Sequence, residues 1–199
     1  VAASAASGFL TGTTTKAASS GVATFSGLGY SKAETITLTF TSGTLTQASQ
    51  SLTVAPGAPN KLVLSTAASG ASGGVAFTTQ PSITVQDSDG NTVTSDSATI
   101  VTVAASGGSG SLSGTTARTA AAGVATFAGV SYSKAETIAL TFSAGSLTQA
   151  TQQLQVLTGG LHALAVTTAA AGATGGSVFS TQPAVTLQDA GGNTVVSDS

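Results

Sequence analysis

The sequence predicts an all-β chain of tandem antiparallel β-sandwiches, on three observations. Displaced by 102 positions, residues 1–97 align with 103–199 without a gap, and 58 of the 97 pairs are identical. Within each copy apolar residues alternate with Thr, Ser and Gln at period two, the pattern of a strand with one buried and one wet face. Turns bearing Gly, Pro or Asn interrupt that alternation at intervals of roughly ten residues, as a sandwich of short strands requires. A gapless match of such length marks tandem duplication of one folding unit. Only 98–102 lack a counterpart.

Linker chemistry sets the frame of the repeat. Ala55-Pro56-Gly57-Ala58-Pro59 and its equivalent 157–161, with Gly159-Gly160, break the pattern, because Pro removes a ladder donor and Gly loosens the chain. The expected domains are 1–56, the C-terminal half of one repeat; 60–157, a complete repeat; and 161–199, the N-terminal half of the next.

The strands of the complete repeat follow in order. Leu62 and Leu64 define one over 61–66, and another is expected over 75–80. Ile83 and Val85 define 82–88, which ends in Asp89-Gly90-Asn91, a tight turn in which Gly accepts positive φ. Val101, Val103 and Ala105 define 98–105, followed by the turn Gly107-Gly108-Ser109-Gly110. Strands over 111–118 and 123–128 are separated by Ala122-Gly123. Ile138, Leu140 and Phe142 define 136–143; after Ala144-Gly145, Leu154 and Val156 define 150–157. Thr on the outer faces suits the pleat. The short run at 120–122 is the most helix-friendly stretch, and it is too short to stand alone. Phe77, Phe127 and Phe142 are the expected core anchors, each ring removing about 150–250 Å² from water.

Composition narrows the function. The 199 residues include no Cys, one His, five Lys and Arg, and seven Asp and Glu. Without cysteine there is neither a disulfide nor a thiolate metal site. So few cations make no field for phosphate, and no nucleic-acid partner is expected. Acid–base chemistry draws on residue types in which this chain is poor, so no enzymatic activity is expected. No apolar run reaches the length of a membrane span. Ala, Ser, Thr and Gly account for 124 residues, yet the 41% apolar share and a net charge of −2 separate the chain from disordered polymers.

The strings Phe77-Thr-Thr-Gln-Pro81, Val85-Gln-Asp87 with Gly90-Asn-Thr-Val93, Gly123-Val-Ala-Thr-Phe127 with Gly129, and Leu147-Thr-x-Ala150 resemble the bacterial immunoglobulin-like repeats of the invasin and intimin type. The resemblance covers essentially the whole chain, as one full copy and two halves. It implies a seven-stranded immunoglobulin-like sandwich, in tandem arrays of an exported bacterial surface protein.

Several residue groups are candidate sites. Asp87-Ser-Asp89-Gly90-Asn91 is similar to the opening of a calcium loop, with oxygen ligands at alternate positions. The second copy, Asp189-Ala-Gly191-Gly192-Asn193, is one carboxylate short, and no bidentate Glu follows; a plain hairpin turn competes with calcium at Asp87, Asp89 and Asn91. Asp96 and Asp198, each in Ser-Asp-Ser, offer interdomain carboxylates. Lys32-x-Glu34 and Lys134-x-Glu136 are repeated opposite charges that share a face on a strand, worth at most about 1 kcal/mol as exposed pairs. Tyr30 and Tyr132 precede the penultimate strand of each copy, as a tyrosine corner or a ring covering the loop. Gly70-Ala-Ser72-Gly-Gly74 matches the string of a nucleophile elbow, but no helix pattern follows, Thr174 replaces Ser72 in the second copy, and the lone His162 lies in a linker opposite Asn60. No catalytic or cofactor-binding residue is assigned.

The expected function is a structural repeat array, the stalk or filament of a protein on the surface of a bacterium or outside it. The competing reading is an adhesin module for a host or cell-surface ligand, glycans included, which requires an exposed aromatic or charged cluster that varies between repeats. The expected partners are neighbouring copies of the repeat, head to tail, touching only their neighbours; the 161–199 tail of one copy would complete the 1–56 head of the next, with Ser199 approaching Val1. Two prolines in 55–60 predict a better-defined joint there than at Gly159-Gly160.

Overall fold

The computed structural model describes residues 2–4 and 8–196, and among them the regular elements are all strands. The approach of Ser199 to Val1 and the role of Asp198 therefore lie outside the described residues. The chain divides into two compact units, Val1–Asn60 with Gln86–Thr94, and Lys61–Val85 with Ser95–Ser199.

The first unit contains β1 (Ala2–Ser4), β2 (Leu10–Thr11), β3 (Gly29–Tyr30), β4 (Thr35–Thr41) and β5 (Ala48–Thr53). A three-stranded antiparallel sheet has the order β1-β4-β5, and β2 pairs with β3. Phe25 and Phe40 pack as a tilted pair with ring centroids 5.4 Å apart.

The second unit contains β6 (Lys61–Thr66), β7 (Ser82–Gln86), β8 (Ile100–Ser106), β9 (Leu112–Ser113), β10 (Ala117–Thr119), β11 (Val124–Thr126), β12 (Ser131–Tyr132), β13 (Thr137–Ser143), β14 (Ala150–Gln155), β15 (Ala163–Thr168) and β16 (Ala184–Gln188). A four-stranded sheet runs β10-β8-β13-β14, a three-stranded sheet β11-β7-β6, and two ribbons pair β12 with β9 and β15 with β16. The alternating residues named from the sequence meet in one buried cluster: Leu62, Ile83 and Val85 from the three-stranded sheet, Val101, Val103, Ile138, Leu140, Phe142 and Leu154 from the four-stranded one. Phe77, Phe127 and Phe142 are all buried in it, and the Phe127 and Phe142 centroids lie 5.6 Å apart. The repeat is visible in the register: Thr35↔Thr53 to Phe40↔Ala48 recurs as Thr137↔Gln155 to Phe142↔Ala150.

The expected strand 75–80 is a correction. It forms only isolated bridges, at Val75, Ala76 and Thr79. The backbone pairs only in part, through Phe77 N–H to Val130 O at 2.9 Å, and the Gln80 side chain completes the pairing: its Oε1 accepts the Val130 N–H at 2.8 Å, and its Nε2 donates to Val130 O at 3.1 Å and to Phe77 O at 2.8 Å. A side-chain amide carries the same donor and acceptor as a peptide, and Pro81 next to it has no N–H to continue a strand. The expected strand 111–118 is split into β9 and β10 because the backbone passes so close at Gly114 that a Cβ there would lie 2.0 Å from Gly129 O. At Ala122-Gly123 both residues have positive φ, +49° and +77°, between the bridged pair Ala121 and Val124; this is the two-residue turn whose twist matches the strands it joins.

Candidate functional site at the repeat joint

Two clamps of the same construction stand 102 residues apart, one in each unit. Each begins with an Asp at the end of the strand equivalent to β7 or β16. In the first, Asp87 Oδ1 accepts the Asn91 N–H at 2.8 Å, closing the turn, and Oδ2 accepts the Gly57 N–H at 2.8 Å and Asn91 Nδ2 at 2.9 Å. The carboxylate therefore holds the hairpin to the linker and fixes the Asn91 rotamer. The other edge of that amide faces the 31–33 loop: Oδ1 accepts the Ala33 N–H at 2.9 Å, and Nδ2 donates to Ser31 O at 3.1 Å.

The second clamp repeats this bond for bond. Asp189 accepts the N–H groups of Gly159 at 2.8 Å, Gly191 at 2.9 Å and Asn193 at 2.9 Å. Asn193 Nδ2 lies 2.9 Å from both carboxylate oxygens; the amide accepts the Ala135 N–H at 3.0 Å and donates to Ser133 O at 2.9 Å. Asp87 and Asp189 are each only 2% exposed. Burial opposes their ionisation, but the hydrogen bonds from Asn91 and Gly57, and from Gly159 and Asn193, outweigh it and hold both carboxyls below the ordinary Asp value.

The second clamp is seated in a cradle that only glycine allows. A Cβ at Gly73 would lie 2.1 Å from Asn193 Nδ2, and one at Gly191 would lie 2.0 Å from Ser133 O. The Gly70–Gly74 stretch is thus a loop with a backbone role, and no helix follows it. The joint also uses Gly57 and Gly159, the residue the two linkers share, rather than the prolines that distinguish them.

The calcium candidates separate in the structure. Asp87 and Asn91 come together, but their oxygens face N–H donors. Asp89 is exposed, and in the sequence it aligns with Gly191 of the second clamp. Among the described residues no group of three or more His, Cys, Asp or Glu is placed to hold a metal ion. Asp96 serves its own loop, with Oδ1 accepting the N–H groups of Ala98 and Thr99 at 3.0 Å.

Tyr132 is fully buried, and its hydroxyl donates to Glu136 Oε1 at 2.8 Å while accepting the Gly110 N–H at 2.8 Å. The hydroxyl thus ties down a loop 22 residues upstream, rather than the near backbone a tyrosine corner reaches. Burial first, then Glu136, pushes the phenol up; the Tyr132 hydroxyl and the Gly110 N–H pull Glu136 down. Glu136 also accepts from Ser109 N–H at 2.7 Å, so this carboxylate serves the 109–110 loop rather than Lys134. In the first copy Tyr30 donates to Glu34 at 2.5 Å and accepts from the Gly8 N–H. His162 is exposed, and its N–H donates to Gln188 O at 2.8 Å, as Asn60 donates to Gln86 O.

Sequence reasoning missed 31–33, 133–135 and Gly73 as parts of the joint. A signal was present: Ser-Lys-Ala-Glu-Thr is unchanged between copies at 31–35 and 133–137, although strand alternation asks nothing of it. No known protein family matches the chain, and no curated protein sequence does.

Proposed function

We propose that this chain is a stretch of a tandem array of immunoglobulin-like β-sandwich repeats. The array forms the stalk or filament of a bacterial cell-surface or extracellular protein; its partners are neighbouring repeats, and it has no catalytic role of its own. The sandwich is supported by the two sheet orders, β10-β8-β13-β14 and β11-β7-β6, feeding one core, which suits a two-layer domain.

The recurrence of the joint carries the array reading. Matching hydrogen bonds of the two clamps differ by no more than 0.2 Å. A constant heterologous relation between successive units builds an open filament. Every group that Asn91 and Asn193 hydrogen-bond on the 31–33 and 133–135 loops belongs to the backbone, so those loops tolerate side-chain variation along an array. Sparse charge and few aromatics suit a spacer surface that resists adhesion.

Small-angle scattering from concatenated chains of two, three and four complete repeats tests the reading. The maximum dimension should grow by a constant increment of roughly 35 Å or more per repeat, given the size of a hundred-residue domain. Growth that falls off as repeats are added would show freely jointed domains and overturn it.

A further inference from the structure

We propose that the complete repeat is a tension-bearing unit: force that enters through the linker before Lys61 and leaves through the linker after Leu157 is carried by a lock between segments 61–73 and 148–157, with the Gln152 amide as its central rung. This rests on reading the chain as a covalent array, and adds to that reading a mechanical function with a specific residue behind it.

The two segments run in the same direction. Lys61 bridges Thr148 and Ser72 bridges Leu157, both in the parallel sense. Five hydrogen bonds among the described residues join them: Leu62 N–H to Thr148 O at 2.8 Å, Ala68 N–H to Gln152 Oε1 at 2.9 Å, Gln152 Nε2 to Ala68 O at 2.6 Å, Leu157 N–H to Ala71 O at 3.0 Å, and Gly73 N–H to Leu157 O at 2.9 Å. They are spread from one end of the stretch to the other. The parallel sense decides how force acts on them. Segment 61–73 is pulled at its first residue and 148–157 at its last, and in a parallel pair those points lie at opposite ends. The segments are therefore drawn past each other, and all the bonds resist at once. Force applied at the same end of both would instead open the bonds one after another.

Gln152 makes the lock continuous. β6 is an edge of the three-stranded sheet and β14 an edge of the four-stranded one, so between the bridges at Lys61 and Ser72 the two backbones belong to different sheets. There the Gln152 amide reaches across and offers the Ala68 backbone the acceptor and the donor that a facing peptide would. Ala68 is buried, which shields these bonds from competing water and strengthens them. The internal repeat marks the same residue: Gln50 stands at the equivalent position, whereas the equivalents of the exposed Gln153 and Gln155 are Ser51 and Thr53. Gly73 ends the lock. Its N–H holds Leu157 O, and its missing Cβ admits the Asn193 amide of the second clamp. Tension leaving the lock at Leu157 thus passes through Thr158 to Gly159, which Asp189 holds.

The test uses the full 199-residue chain, whose lack of cysteine lets two introduced thiols define where it is pulled. Ala58→Cys with Gly160→Cys, both at exposed positions, pulls the repeat along the lock. Ala58→Cys with Ser146→Cys, also exposed, pulls both segments from the same end. Each tether is held at constant force in optical tweezers through DNA handles. The first should unfold about tenfold or more slowly than the second at equal force, since forced unfolding reports the unfolding rate. Gln152→Ala should speed unfolding under the first tether by about tenfold, through the loss of two hydrogen bonds. It should leave the second tether unchanged, because there the Thr148 end yields first. Gln153→Ala, on the exposed side of the same strand, should change neither. Equal unfolding rates under the two tethers would overturn the lock. A Gln152→Ala variant that accelerates both tethers alike, or neither, would overturn the place of Gln152 in it. The length increment per concatenated repeat depends on the joints and not on the lock, so the two readings fail separately.

Discussion

Asp189 and Gly159, thirty residues apart in sequence, are joined by a hydrogen bond of 2.8 Å, and so are Asp87 and Gly57. The same carboxylate orients Asn193, which reaches back to 133–135. One buried charge therefore fixes both the linker glycine and the amide that reaches back to 31–33 in the first clamp and 133–135 in the second. Asp87→Ala strands the part-buried Gly57 and Asn91 N–H groups, and an orphaned donor costs up to about 1–3 kcal/mol as its burial grows. A total loss of about 2–4 kcal/mol is expected in urea unfolding, and about half that for Asp87→Asn, which keeps one acceptor oxygen. A change below about 0.5 kcal/mol, the scale of an ordinary surface substitution, would show that the carboxylate does not organise the joint.

The clamps also set an acid limit. Asp87 and Asp189 have pKa values lowered from the ordinary 3.8 in the folded chain, so the folded state binds fewer protons than the unfolded one near that pH. Their contribution is whole above the unfolded value and is lost as pH falls through the lower folded value. Stability measured against pH should therefore be flat from neutrality down to the ordinary Asp range and fall below it. The double variant Asp87→Asn with Asp189→Asn should fall less steeply; an equally steep fall would place the acid sensitivity elsewhere.

Period two made the core legible in the sequence because every second residue of a strand must face inward: Ile138, Leu140 and Phe142 are buried as expected. The joint was legible only in part. Asp87 and Asn91 stood out as oxygen-bearing residues, but a sequence does not say which donors meet those oxygens, and the groups they bind in 31–33 are backbone atoms that any residue supplies. Lys134 and Glu136 obeyed a same-face rule that holds on strands, whereas 133–136 is a bend that frees Glu136 to meet Tyr132. Gln80 sat in a run that fits a strand by composition, and only its side-chain geometry reveals that it completes a partial pairing.

Ala122 is strained. Its φ of +49° lies in the left-handed region, where a Cβ costs roughly 1–2 kcal/mol and Asn is better tolerated than Ala. Ser20 has φ +51° at the equivalent turn, so the conformation belongs to the repeat. Ala122→Asn should raise stability by about 0.5–1 kcal/mol, and Ala122→Gly by less, because glycine also frees the unfolded chain. Thermal melts of the two variants against the wild type give the order; a loss with Asn would mean that the turn does not impose positive φ.

Gln80 provides the most discriminating substitution outside the joint. Its amide makes three hydrogen bonds, one as acceptor from Val130 N–H and two as donor, to Val130 O and Phe77 O. Gln80→Ala removes all three and should cost about 1–3 kcal/mol. Gln80→Glu keeps the shape and the acceptor but, when ionised, faces two carbonyl oxygens with no proton to offer. At neutral pH it should cost at least as much as the alanine variant, about 2–4 kcal/mol, because a partly buried charge is left against acceptors. Unfavourable burial of the charge raises the folded pKa of the new carboxyl. Its deficit relative to the wild type should therefore shrink as pH falls through that value and the group regains a donor. The alanine deficit has no titrating group and should stay constant over the same range. Parallel pH series of urea melts for the two variants decide the matter: a glutamate deficit that does not shrink in acid would show that Gln80 fills space at Val130 instead of completing the pairing.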